Sequence, residues 1–267
     1  MKAKHSGCGE SVAGDRVIIF AKQPNAGQVK TRLIPAIGAR QAAQLHAMMT
    51  RHIVTVACAS NICPVELWCS PSPSHELFQS LAQEFPISLC TQTGNDLGER
   101  MYNAFAASHT GHDTHGTNIN TDVNDNGNHN NNNQNNSNHN NSNHNNAAII
   151  VGSDCPALTP AHFRQAFTAL KAGNTATLIP ALDGGYVLLG LSQLNRRLFE
   201  DIQWGTAEVL SATRARLKSL YWTWEEFAAL SDIDTQQDLL AFAGSHQHYE
   251  LDDSLVSFLK RLLAGSS

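Results

Sequence analysis

Residues 17–20, Val-Ile-Ile-Phe, form an apolar run that opens directly into a loop carrying Lys22, Pro24, Gly27, Lys30 and Arg32. Four consecutive apolar residues without polar alternation suit a strand covered on both faces, which belongs to an α/β architecture with a largely parallel sheet. A strand that ends in a glycine-containing loop with three cations is a common way for such folds to hold a phosphate chain. Lys22, Lys30 and Arg32 would bring charge to the anion, Gly27 would let the backbone approach it, and Pro24 would stiffen the turn. A solvated basic loop after a buried strand would have the same composition.

The rest of the chain repeats the alternation. Apolar runs at 17–20, 65–69, 87–90, 148–151, 177–180 and 186–191 read as strands, and helical patterns cover 39–57, 75–84, 97–108, 160–172, 207–218 and 236–243. The expected fold is α/β and three-layered, a mostly parallel sheet with helices on both faces. With 267 residues, 42% of them hydrophobic, there is core enough for one domain, expected over 16–263. The formal net charge of −5 offers no basic field for nucleic acid or a membrane surface. No apolar stretch is long enough to span a bilayer, and residues 1–15 have no apolar segment resembling a signal peptide, so a cytoplasmic location is expected. The six cysteines form no C-x-x-C pair, and most read as buried reduced thiols.

One segment breaks the pattern. Residues 110–146 are dominated by Asn, His, Ser, Asp and Gly, with Ile119 and Val123 as the only aliphatic side chains. Such a tract cannot bury enough apolar surface to offset its ordering entropy, and a disordered insertion is expected. Six histidines lie from His109 to His144, so metal capture is an alternative to a neutral expansion, although they have no fixed ligand spacing.

Three further segments carry chemistry. The run 149–151 ends in Gly152-Ser153-Asp154-Cys155-Pro156, which delivers a carboxylate to the C-terminal edge of a strand; Thr159 and Pro160 then start a helix. That edge is where open α/β sheets bind ligands. Asp154 there suits Mg²⁺ or Mn²⁺, or it caps the turn. Asp183-Gly184-Gly185-Tyr186 reads as a hairpin turn, or as a carboxylate placed to hold a sugar or act as a base. In Asp232-Ile233-Asp234-Thr235, Thr235 and Asp238 resemble a capping box, which leaves Asp232 and Asp234 available to a cation.

Taken together, Lys22-x-Pro24-x-x-Gly27-x-x-Lys30-Thr31-Arg32-Leu33, Leu97-Gly98-Glu99-Arg100-Met101, Gly152-Ser153-Asp154-Cys155-Pro156, Pro180-Ala-x-Asp183-Gly184-Gly185-Tyr186 and Trp204-Gly205-Thr206 resemble the DUF2064 family. These glycosyltransferase-A-type (GT-A) proteins, some assigned to arsenosugar biosynthesis, are similar to nucleotide-diphospho-sugar transferases. The resemblance runs from about Val17 to Leu240, interrupted by the Asn-rich tract, and the Asp-Ile-Asp-Thr run also resembles small nucleotidyltransferases of the same fold. It implies transfer of a sugar from a nucleotide-diphospho-sugar donor to a small-molecule acceptor. A nucleotidyltransferase is the first alternative, and a non-catalytic nucleotide- or metal-binding protein the second. Lys22, Gly27, Lys30, Arg32 and Arg100 would then serve the nucleotide and its phosphates. Gly184, Gly185 and Tyr186 would contact substrate, Asp183 would be the catalytic base, and Asp154 and Asp234 would hold Mg²⁺ or Mn²⁺. Ser153-Asp154-Cys155 departs from the superfamily's Asp-x-Asp in having one acid, so the second metal ligand must come from elsewhere.

The tract should lie at the sheet edge opposite the strand C-termini. Replacing residues 110–146 with a short Gly-Ser linker should therefore leave melting temperature and donor affinity nearly unchanged. Loss of activity without loss of fold would make the tract a working element.

Overall fold

The computed structural model describes residues 14–109, 146–245 and 253–264. The Asn- and His-rich tract over 110–145 and Cys8 lie outside the described residues.

Seven strands form one sheet: β1 (Arg16–Lys22), β2 (Val65–Ser70), β3 (Ile87–Thr91), β4 (Ala148–Gly152), β5 (Ala176–Pro180), β6 (Tyr186–Leu191) and β7 (Trp224–Glu226). Their order is β3-β2-β1-β4-β6-β5-β7. All neighbours are parallel except at β6, which runs antiparallel to both β4 and β5. The helices are α1 (Ile34–Ile37), α2 (Ala39–Ser60), α3 (Glu76–Glu84), α4 (Leu97–His109), α5 (Pro160–Lys171), α6 (Val209–Ser219), α7 (Gln236–Ser245) and α8 (Asp253–Ala264).

The absence of alternation in β1 has the expected cause, because both faces are buried. Val17, Ile19 and Ala21 join a core with Leu45, Met49 and Ile53 of α2, Phe163 of α5, and Phe258 of α8. Ile18 and Phe20 turn to the other face and pack with Met101 and Phe105 of α4 and Leu210 and Leu217 of α6. This gives the three layers. All six expected strands and all six expected helices are present, with ends shifted by a few residues.

Three elements were not anticipated. Strand β7 is a three-residue edge whose Trp-Glu-Glu sequence has no apolar run to reveal it. Helix α1 is a single turn. Helix α8 places Leu255, Phe258, Leu259 and Leu262 in the core at helical spacing.

The strand order reverses direction at β1, whose neighbours β2 and β4 lie on opposite sides, and this is where open α/β sheets form a ligand crevice. The C-terminal ends of β1 and β4 flank that crevice. Strand β5 ends at the same edge, so the turn into β6 and the segment after β7 also arrive there. The expected helix starts are present: Pro160 opens α5 after the Thr159 N-cap, and Asp238 accepts hydrogen bonds from the Thr235 N–H (2.7 Å) and hydroxyl (2.8 Å) before α7. Among the described residues all five cysteines are free, three of them buried, and no helix is long and apolar enough to cross a membrane.

Two glycines let the loop after β6 close over the sheet edge. A Cβ on Gly98 would stand 2.7 Å from the Trp204 ring. One on Gly184, where φ is +94°, would stand 2.2 Å from the Ala207 carbonyl oxygen. Because Gly184 combines a left-handed backbone with a backbone neighbour that cannot retreat, Gly184→Ala should cost about 1–3 kcal/mol in chemical denaturation. An unchanged midpoint would show that the loop moves aside without cost.

Candidate functional site

The predicted cations and acids meet at the reversal point. A cavity of about 470 Å³ is lined by Lys22, Lys30, Arg32, Arg100, Asp154 and Asp234, with Gln92, His46 and Ser153 among their neighbours. Strand β1 delivers Lys22, the loop after it Lys30 and Arg32, helix α4 Arg100, and the turn after β4 Asp154. A second hollow of about 150 Å³ adjoins it through Gly152 and Asp154, and is lined by Asp183, Gly185, Tyr186, Cys155 and Asp232. A larger hollow of about 600 Å³ between the 24–26 loop, α2 and α3 shares none of these acids or cations.

Lys30 is the most constrained of these residues. Its backbone is left-handed, with φ of +48°, a conformation that costs a non-glycine residue on the order of 1 kcal/mol. Its side chain is 3% exposed. The ammonium donates to the Ile233 carbonyl, stands 2.8 Å from Asp154 Oδ1 and lies 3.9 Å from Asp234 Oδ1. Arg32 takes the other oxygen of Asp234 at 2.7 Å.

Helix α2 backs the cluster with two buried histidines. His46 Nε2 lies 3.0 Å from the Lys22 carbonyl, and His52 Nε2 lies 3.0 Å from that of Pro156. A carbonyl only accepts, so His46 presents Nε2–H there and turns Nδ1 toward Asp154 Oδ1, 3.7 Å away. Asp154 Oδ1 is met by the Lys30 ammonium at 2.8 Å, with His46 Nδ1 farther off. Desolvation raises the Asp154 pKa, but Lys30 and His46 outweigh it and hold the carboxyl well below the usual range.

In the smaller hollow the balance runs the other way. Desolvation, followed by the neighbouring Asp183 carboxylate, pushes Asp232 up to about 6. Burial pushes the Cys155 thiol up to about 12, which rules it out as a ready thiolate nucleophile at neutral pH.

The remaining predicted residues divide. Asp183 borders the hollow, and its Oδ1 also accepts from the Gly185 N–H at 2.9 Å, so it forms the hairpin turn and faces the site at once. Tyr186 lines the hollow but sends its hydroxyl inward, 3.8 Å from Met101 Sδ. Gly27, with φ of +83°, shapes the loop and does not line the cavity. Gly184 is likewise off the cavity wall, packed on Ala207.

A divalent ion held between Asp154 and Asp234 would have to compete with cations of the chain itself. Both carboxylates are already met by Lys30 and Arg32, and among the described residues no three His, Cys, Asp or Glu side chains converge as a metal site. His46 carried no motif, being a mid-helix histidine in a buried stripe. Asp232 reads from the sequence, with Asp234, as available to a cation, but its neighbour Asp183 across the fold could not be read from the chain.

The chain is similar in fold to solved structures whose names refer to nucleotide chemistry. The structure from Desulfovibrio desulfuricans G20 provisionally named a nucleotide-diphospho-sugar transferase matches with a TM-score of 0.75 and 22% identity, over 96% of this chain and 97% of that one. A cytidylyltransferase from Leptospira borgpetersenii serovar Hardjo-bovis matches with a TM-score of 0.50 and 11% identity, over 95% of each chain. The fold is thus that of the nucleotide-diphospho-sugar transferase-like α/β proteins. The DUF2064 family model, described as "Uncharacterized protein conserved in bacteria", matches residues 132–206 of this chain. No curated protein matches the sequence.

The raised carboxyl of Asp232 yields a stability prediction. Its folded pKa lies above the ordinary value of 3.8, so the folded state favours the protonated form. That stabilisation is complete below about pH 4 and is lost as pH rises through about 6. Asp232→Asn, which cannot ionise, should therefore melt higher than the parent at pH 8, and the gap should close towards pH 4. A constant gap across that range would mean the carboxyl is not shifted.

Proposed function

We propose that this protein is a glycosyltransferase that moves a sugar from a nucleotide-diphospho-sugar to a hydroxyl-bearing small molecule. The observation that carries this reading is the pair of adjoining hollows of opposite character that share Asp154. The cation-lined one suits a diphosphate, whose charges Lys22, Arg32 and Arg100 can meet. The acid-lined one suits a sugar, whose hydroxyls can donate to Asp183 and Asp232. A phosphorylated acceptor, as a nucleotidyltransferase needs, would enter that second hollow against two carboxylates.

In the reaction the bond between the sugar's anomeric carbon and the diphosphate oxygen breaks, and a bond from that carbon to the acceptor oxygen forms. The leaving diphosphate keeps the electron pair, and the surrounding cations stabilise the charge as it develops. The acceptor's proton passes to a carboxylate. Asp183 is one candidate; Asp232, pushed up to about 6, is the better base at neutral pH.

Incubation with a panel of nucleotide sugars and nucleoside triphosphates tests the reading. Release of nucleoside diphosphate is expected; pyrophosphate release from a triphosphate would transfer the site to nucleotidyl chemistry. Lys22→Ala and Arg100→Ala should each weaken nucleoside diphosphate binding by about 1.5–3 kcal/mol, the range for hydrogen bonds to charged groups, as read by calorimetry. Undiminished affinity in both would remove the diphosphate from this cavity.

A further inference from the structure

The oxygens around the Lys30 ammonium are of the kind that hold a hard cation: a carboxylate from Asp154, a carboxylate from Asp234 and the Ile233 carbonyl. We propose that Lys30 is the resident cation of this centre, filling the oxygen cage a divalent ion would take, so that diphosphate binding requires no divalent metal.

The geometry supports this in three ways. A magnesium ion needs oxygens at about 2.0–2.1 Å in octahedral array, and the ammonium already stands 2.8 Å from Asp154 Oδ1 inside the cage. The ammonium has little room to retreat. Its neighbour Val29 is 4% exposed, Leu33 is fully buried, and the Lys30 carbonyl is bound by the Leu33 N–H at 2.9 Å. Charge is also balanced without a metal, with Lys30 and Arg32 against Asp154 and Asp234. Lys22 and Arg100 line the same cavity, and among the described residues neither has a carboxylate partner, so their charge is left for the ligand.

The inference rests on the transferase reading for the identity of the ligand, and the manganese measurement keeps the two separable. Full-length protein is titrated with inorganic pyrophosphate, and separately with UDP, GDP and CDP, in EDTA and in magnesium. Affinities within about threefold of each other are expected, and a loss of more than about tenfold in EDTA overturns the proposal. Manganese binding to the ligand-free protein is followed by electron paramagnetic resonance. Manganese binding that Asp154→Asn abolishes overturns the proposal; its absence supports it. Lys30→Met, with its fold checked by circular dichroism, empties the cage and should gain a manganese site that Asp154→Asn removes. If neither pyrophosphate nor any diphosphate binds, the transferase reading falls while the manganese result still decides the role of Lys30.

Discussion

A charged ammonium with 3% of its side chain exposed can remain inside a protein only if opposite charge and hydrogen-bond acceptors replace the water it has lost. Lys30 meets that requirement with groups far apart in the chain, the turn after β4 and the segment after β7. Its burial is therefore a tertiary constraint. Ile233 completes it from the backbone, donating its N–H to the Asp154 carbonyl at 2.9 Å while its own carbonyl accepts from Lys30. Three segments that would otherwise be independent loops on a sheet edge are joined through one ion-pair network, and the cavity walls take their positions from it.

Helix α2 makes the network rigid from behind. His46 ties the end of β1 through the Lys22 carbonyl, and His52 ties the turn after Asp154 through the Pro156 carbonyl. Both histidines are buried on the helix face that packs against the sheet, so the same side chains that fill the core also set the distance between the two strand ends. A basic loop and an acidic turn placed on free loops would share their charges with solvent. Here they are held in register.

The legible part of this molecule was what local pattern dictates. Strands such as β1 and β4 are buried on both faces, and that produces unbroken apolar runs with loops at their C-terminal ends. Position at those ends marked Lys22, Lys30, Arg32 and Asp154 as site residues. What pattern could not supply was pairing. Nothing in the local sequence of Lys30 or Asp234 says that each would meet a charge partner, because that depends on the crossing of β1, β4 and the chain after β7. Asp234, read from the sequence as open to a metal, instead stands beside Arg32 and Lys30. The signal of α8 was present in the spacing of Leu255, Phe258, Leu259 and Leu262, whereas β7 had none, since an edge strand of three residues has no core face long enough to alternate.

The two hollows also depend on each other electrostatically. A base beside a diphosphate site is normally weakened, because the cations that bind phosphate also lower the pKa of nearby carboxylates. Lys30 acts on Asp232 in that direction, and Asp154 acts against it. Paired with Lys30 at 2.8 Å, Asp154 offsets part of the ammonium's effect on Asp232. Burial and Asp183 then keep the Asp232 carboxyl near 6. In the proposed reaction Asp154 would thus do more than anchor a cation: it would separate the two hollows, with positive charge for the leaving group on one side and a carboxylate able to accept a proton on the other.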